Sequence, residues 1–112
     1  METSRPGVWA IGDCTAIPLS NGVALPKAGL FAQLEGEVAA ARIAGQLRGE
    51  TPDATFDGRG ACFLEMGGGE ASLIRGDFFA DPPVVELTPP SHDQREEKER
   101  FEAERLSAWF GG

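Results

Sequence analysis

The chain has 112 residues, enough for one domain with a modest core, and a formal net charge of −8. That charge argues against nucleic acid as a partner, because phosphate neutralisation needs clustered Lys and Arg, and it disfavours a purely electrostatic hold on anionic lipid. Two cysteines and one histidine exclude a disulfide scaffold and a structural zinc site, and neither a membrane span nor a signal peptide is evident, so a cytoplasmic setting is expected.

Val8 to Ile11 is an apolar run between Pro6-Gly7 and Gly12-Asp13 and predicts a short buried strand. Cys14 to Leu25, with Pro18, Ser20, Asn21 and Gly22, predicts a connecting loop. Pro26 suits the first turn of a helix, where its missing N–H is an orphan anyway. The run from Lys27 to about Arg48 predicts that helix. Leu30, Leu34, Val38 and Ala41 fall on one face, with Phe31 at its edge, while Ile43 and Leu47 share another with Gly29, Gly36 and Ala40. Two apolar faces, and a surface thinned by Gly and Ala, predict a helix covered on more than one side. Gly49 suits the position just past the helix end, and Pro52 follows.

Ala61 to Met66 predicts a strand, Gly67-Gly68-Gly69 a turn and Glu70 to Phe79 the returning strand of a hairpin. The glycine triplet lacks the Lys-Ser/Thr ending of a phosphate-binding loop. Val84 to Leu87, between Asp81-Pro82-Pro83 and Pro89-Pro90, predicts a third strand at a sheet edge. Ser91 is placed as the N-cap of a helix from His92 to Phe110. The end of that helix carries Leu106, Trp109 and Phe110, for which two readings stay open. It docks on the β unit as core, or it meets a membrane surface or a second subunit; Glu96-Glu97-Lys98-Glu99 weighs against the membrane. His92 has no evident partner and is expected at the surface. The fold class that follows is α+β.

Three features carry chemistry. Gly12 after an apolar run lets a ligand approach the backbone, and Asp13 can accept hydrogen bonds from a vicinal diol. Lys27 at a helix start is unusual, because an acidic residue suits the helix dipole better there. Cys62 is either a redox thiol or a small buried hydrophobe, and the thiol role requires a lowered pKa, for which Arg59 is the nearest cation in sequence. Cys14 is expected to be a packing residue.

The succession of an apolar run, Gly12-Asp13-Cys14-Thr15, a loop, Leu25-Pro26-Lys27-Ala28-Gly29 and an Ala-rich helix resembles the FAD-dependent pyridine nucleotide–disulfide oxidoreductase family. Within that family it resembles the sulfide:quinone oxidoreductase and flavocytochrome sulfide dehydrogenase relatives. Phe56-Asp57-Gly58-Arg59-Gly60-Ala61-Cys62-Phe63-Leu64-Glu65-Met66-Gly67, Gly76-Asp77-Phe78-Phe79 and the closing Phe101, Arg105-Leu106 and Trp109-Phe110-Gly111 extend the resemblance over nearly the whole chain.

The resemblance implies a C-terminal portion of a two-dinucleotide-domain FAD fold. Residues 1–50 would supply its flavin strand, loop and last helix, and residues 51–112 a small antiparallel β unit with a terminal helix. It implies that Gly12 and Asp13 hold the ribityl region of FAD, that Pro26 and Lys27 at the helix start face the flavin pyrimidine, and that Cys62 is a redox thiol. The implied partners are upstream FAD and NAD(P) domains and a quinone, with electrons arriving from NAD(P)H or sulfide, in the cytoplasm or at the inner face of the membrane. No Gly-x-Gly-x-x-Gly pyrophosphate loop is present, so the chain alone is expected neither to bind FAD tightly nor to turn over. Two alternatives stay open: a non-enzymatic module that forms a homodimer through its smooth helix, and part of an NADH:quinone dehydrogenase without thiol chemistry.

Overall fold

A computed structural model describes residues 1–111. The chain is α+β, with two helices and one three-stranded antiparallel sheet. A 3-10 turn at Gly12–Cys14 is followed by α1 (Gly29–Leu47), β1 (Arg59–Gly67), β2 (Glu70–Asp77), β3 (Val84–Leu87) and α2 (His92–Phe110). The sheet order is β1-β2-β3, with Cys62 opposite Ile74 and Gly76 opposite Val85. Gly67 and Gly68, both at positive φ, turn the chain between β1 and β2 as the glycine triplet predicts. β3 lies at the sheet edge with all four residues exposed.

α2 packs mainly on β2 and is tied to β1 by charge: Lys98 hydrogen-bonds Glu65, and Arg95 lies 3.8 Å from the same carboxylate. Those two cations hold the Glu65 carboxyl below its ordinary pKa. Ser91 caps the helix as expected, its Oγ accepting the Gln94 N–H at 3.2 Å. His92 is exposed, and its Nδ1 lies 3.0 Å from the Gly69 carbonyl at the hairpin turn.

The core is small. Leu25, Phe31 and Phe78 are its buried centre, flanked by Ile17, Phe56 and Ile74. It draws on both halves of the chain. The Phe31 ring stands edge-on to Phe78 and Phe56, with centroids 5.1 and 6.2 Å apart, and it occupies the space beside Gly60 that a Cβ would fill.

Several expectations are corrected. Val8–Ile11 is not a buried strand: Trp9 forms one isolated bridge with Glu2, and Val8 and Ile11 are 50% and 42% exposed. A strand is stabilised by its neighbours, and no longer pairing reaches this run among the described residues. Pro26 and Lys27 stand before α1 rather than in its first turn, because Ala28 is the N-cap. The buried line of α1 is Phe31, Glu35 and Ala39, not Leu30, Leu34, Val38 and Ala41. Leu106, Trp109 and Phe110 are 51%, 62% and 79% exposed, so the end of α2 is not part of the core. Its inward contact is made earlier, where Phe101 meets Phe63 with ring centroids 6.3 Å apart. Cys14 is exposed rather than packed, its Sγ donating to the Ile11 carbonyl.

The molecule is open and flat, 51 × 42 × 20 Å, with a radius of gyration of 16.1 Å, where a compact domain of this length has about 13 Å. It presents 7337 Å² to solvent, and a compact monomer of 11.9 kDa presents roughly 5,900 Å². The excess of roughly 1,400 Å² is as large as one side of an obligate interface. No helix among the described residues is long and apolar enough to cross a membrane.

Candidate functional site at the start of α1

The apolar run ends at Gly12, which takes φ +70°, a backbone state that a side chain would strain. The turn that follows is strapped to the rest of the molecule at both ends. The Gly12 N–H donates to Glu35 Oε2 at 2.6 Å, and the Gly12 carbonyl accepts from the Thr15 N–H and hydroxyl at 3.0 and 2.8 Å. Lys27 reaches across to donate to the Thr15 carbonyl. Gly12, Asp13, Pro26, Lys27 and Glu35 thus line one small hollow of about 10 Å³. Asp13 is exposed, and its carboxylate accepts no hydrogen bond from the described residues.

The start of α1 is electrostatically open. Ala28 offers no side-chain cap, and the first turn holds no acidic residue. The N–H groups of its first turn are therefore free, and they carry the positive end of the helix dipole. Lys27 adds a full charge beside them. The hollow thus brings Lys27 and the positive end of α1 together with two carboxylates, Asp13 and Glu35.

On the other side of Lys27 a cleft of about 460 Å³ opens between the start of α1, β1 and α2. Its walls are mainly apolar, with Phe63, Phe101, Leu106 and Trp109, and Cys62 lies on it. Arg105 crosses the cleft, with Nη1 donating to Gln33 Oε1 at 3.0 Å and its guanidinium carbon 5.3 Å from the centre of the Phe101 ring. Sequence reasoning placed Gly12, Asp13, Pro26, Lys27 and Cys62, and the fold brings the first four to one hollow and Lys27 and Cys62 to one cleft.

It missed Glu35, Gln33 and Arg105. Glu35 stands out only once its face of α1 is known to be buried. It is the one charged residue on the line Phe31, Glu35, Ala39, and a carboxylate on a buried helix line needs a donor.

Cys62 lacks the electrostatics of an activated thiol. Partial burial raises its pKa, its Sγ lies 3.5 Å from the Phe63 carbonyl, and no cation lowers it. Arg59 pairs with Asp77 instead, at 3.7 Å. Cys62 is expected to react with iodoacetamide at neutral pH more slowly than the same cysteine in urea-unfolded protein, the gap narrowing as pH rises past the ordinary thiol range. Equal rates at pH 7, read by mass spectrometry, would contradict this.

No protein-family model, curated protein or solved structure matches this chain.

Proposed function

We propose that the chain is the C-terminal portion of an FAD-dependent oxidoreductase that passes electrons from NAD(P)H or sulfide through flavin to a quinone or another acceptor. The observation that carries the reading is the meeting of the free Asp13 carboxylate, the uncapped start of α1 and Lys27 at one edge of the molecule. The donor set fits FAD. Asp13 would accept hydrogen bonds from hydroxyls of the ribityl chain, and Gly12, lacking a Cβ, would let the chain come close. The free N–H groups of α1 and Lys27, with Pro26 shaping the approach, would face the carbonyl edge of the flavin pyrimidine. Bound FAD supplies hydride acceptance and electron transfer. The chain's own residues orient it, and the positive charge at the helix start favours an electron-rich ring edge seated there.

The hollow is far too small to enclose a dinucleotide, so this chain supplies one side of the site only. The rest would come from upstream FAD and NAD(P) domains. The open shape and the roughly 1,400 Å² of excess surface support such a cover. Val8, Ile11, Ile43 and Leu47 are exposed apolar residues that a neighbouring domain would bury. Partial burial raises the Cys62 thiol pKa in this chain, and a parent that reduces quinone without thiol chemistry stands beside the sulfide version. Peripheral contact with the inner membrane face through Trp109 and Phe110 belongs to the same proposal.

Asp13→Ala in the native flavin-carrying polypeptide is expected to weaken FAD binding by about tenfold or more, the size of a lost hydrogen bond to a charged acceptor. Unchanged affinity by fluorescence titration would remove Asp13 from the site.

A second reading rests on the same exposed surface. The chain would be a non-enzymatic module, a homodimer through α1, in which Gly36, Ala40 and Ala44 leave a thin helix surface. Concentration-dependent dimerisation of the chain without flavin would favour it.

A further inference from the structure

We propose that Glu35 is the positioning residue of the Gly12–Asp13 turn: by holding the Gly12 amide it fixes the turn on which the Asp13 carboxylate stands free for a polyhydroxyl ligand. The identity of that ligand as FAD rests on the flavin reading above; the positioning role does not.

Aspartates in tight turns ordinarily bond back to their own backbone. Asp13 does not: the Thr15 N–H and hydroxyl, the donors two residues on that its carboxylate would use, both go to the Gly12 carbonyl. The Gly12 N–H goes to Glu35 Oε2 at 2.6 Å. The Gly12 carbonyl goes to Thr15, and the Thr15 carbonyl to Lys27.

Glu35 is well placed to set the turn. It is 2% exposed and sits one helical turn beyond Phe31, the centre of the core. A buried carboxylate is costly unless donors meet it, and the Gly12 N–H is the one donor that reaches it among the described residues. The close approach also needs glycine: a Cβ on Gly12 would lie 3.2 Å from the Ala32 Cβ on the neighbouring turn of α1. The core, through Glu35, thus fixes the height of the turn above the helix, and Asp13 is presented outward on it.

The test uses the 112-residue chain and, in parallel, the native flavin-carrying polypeptide, each as wild type, Glu35→Gln and Glu35→Ala. Hydrogen exchange at the Gly12 amide is read by NMR in the chain, and FAD affinity by fluorescence titration in the native polypeptide. In the wild type the Gly12 amide is expected to exchange at least about tenfold more slowly than an unstructured glycine. Glu35→Ala is expected to abolish that protection and to weaken FAD binding by about tenfold, and Glu35→Gln, which keeps an acceptor oxygen, to recover most of both. Three results would overturn the proposal: exchange at the unstructured rate in the wild type, full protection in a folded Glu35→Ala chain, or FAD affinity indifferent to Glu35→Ala. If Glu35→Ala fails to fold, the wild-type exchange rate and the Glu35→Gln protein decide. A native polypeptide that binds no FAD, with Gly12 protection still following Glu35, sinks the flavin reading and leaves the positioning role standing.

Discussion

Phe31→Ala is expected to cost about 3–5 kcal/mol, the usual toll for truncating a buried phenylalanine. Phe31 is 1% exposed and is the ring on which two edge-to-face contacts converge. Gly60 makes room for it: a Cβ there would lie 2.3 Å from the Phe31 ring. The core has few other large residues, so the loss is a large share of the 5–15 kcal/mol that a folded domain has in total. Urea denaturation of the chain should show a lower midpoint or no cooperative transition. A shift of less than about 1 kcal/mol would mean that Phe31 is not the centre of packing. The same substitution should release the start of α1 from β1, and with it the hollow that holds Asp13 and Lys27.

Gly76→Ala is expected to separate β3 from the sheet. Gly76 sits at φ +150° opposite Val85, and a Cβ there would lie 2.1 Å from the Val84 carbonyl oxygen and 2.8 Å from the Val85 Cα. Both obstacles are backbone, so no rotamer change relieves the clash. β3 must shift away from β2, at a cost of roughly 3 kcal/mol. Because β3 is a short edge strand, the damage should be local: the amides of Glu86 and Thr88 lose their exchange protection while those of β1 keep theirs. Retained protection at Glu86 and Thr88 would contradict the register. The ion pair between Arg75 and Glu86, exposed and 3.3 Å long, adds too little to hold the strand in place.

What could be read from the sequence follows the range of the forces involved. The glycine turn of the hairpin, the edge strand between two Pro-Pro pairs, the Ser91 cap and the Gly49 stop are local devices, and each stands where its residues place it. The buried face of α1 is not local. Leu30, Leu34 and Val38 form the better apolar stripe in isolation, but burial is decided by what lies opposite. Gly60 opens a seat for Phe31, and the Gly12 turn covers Glu35. A helix with apolar residues on two sides leaves that choice to its neighbours. Val8–Ile11 fails as a strand for a related reason. Its composition suits a sheet, and a single bridge to Glu2 is all that the chain offers it.

The candidate site divides the same way. Gly12-Asp13 and Lys27 were legible as residue types in order along the chain. Glu35, which controls the turn, was not singled out, because a glutamate in an Ala-rich helix looks like a solvated residue until the burial of its position is known. Gln33 and Arg105 were hidden because their meeting depends on α2 packing on the sheet so that the long Arg105 side chain reaches α1, a contact across 72 positions of sequence. Cys62 shows the opposite case: its place in the sequence invited a redox role, and its surroundings raise the thiol pKa instead.

A chain that forms one side of a flavin site, as proposed, belongs to a larger polypeptide, whose size can be read by antibody in extract of the source cells with flavin fluorescence on the same band. A flavin-bearing band several times larger than 11.9 kDa is expected. A band of the chain's own size without flavin would contradict the proposal and leave the dimerising module as the reading that fits the exposed surface.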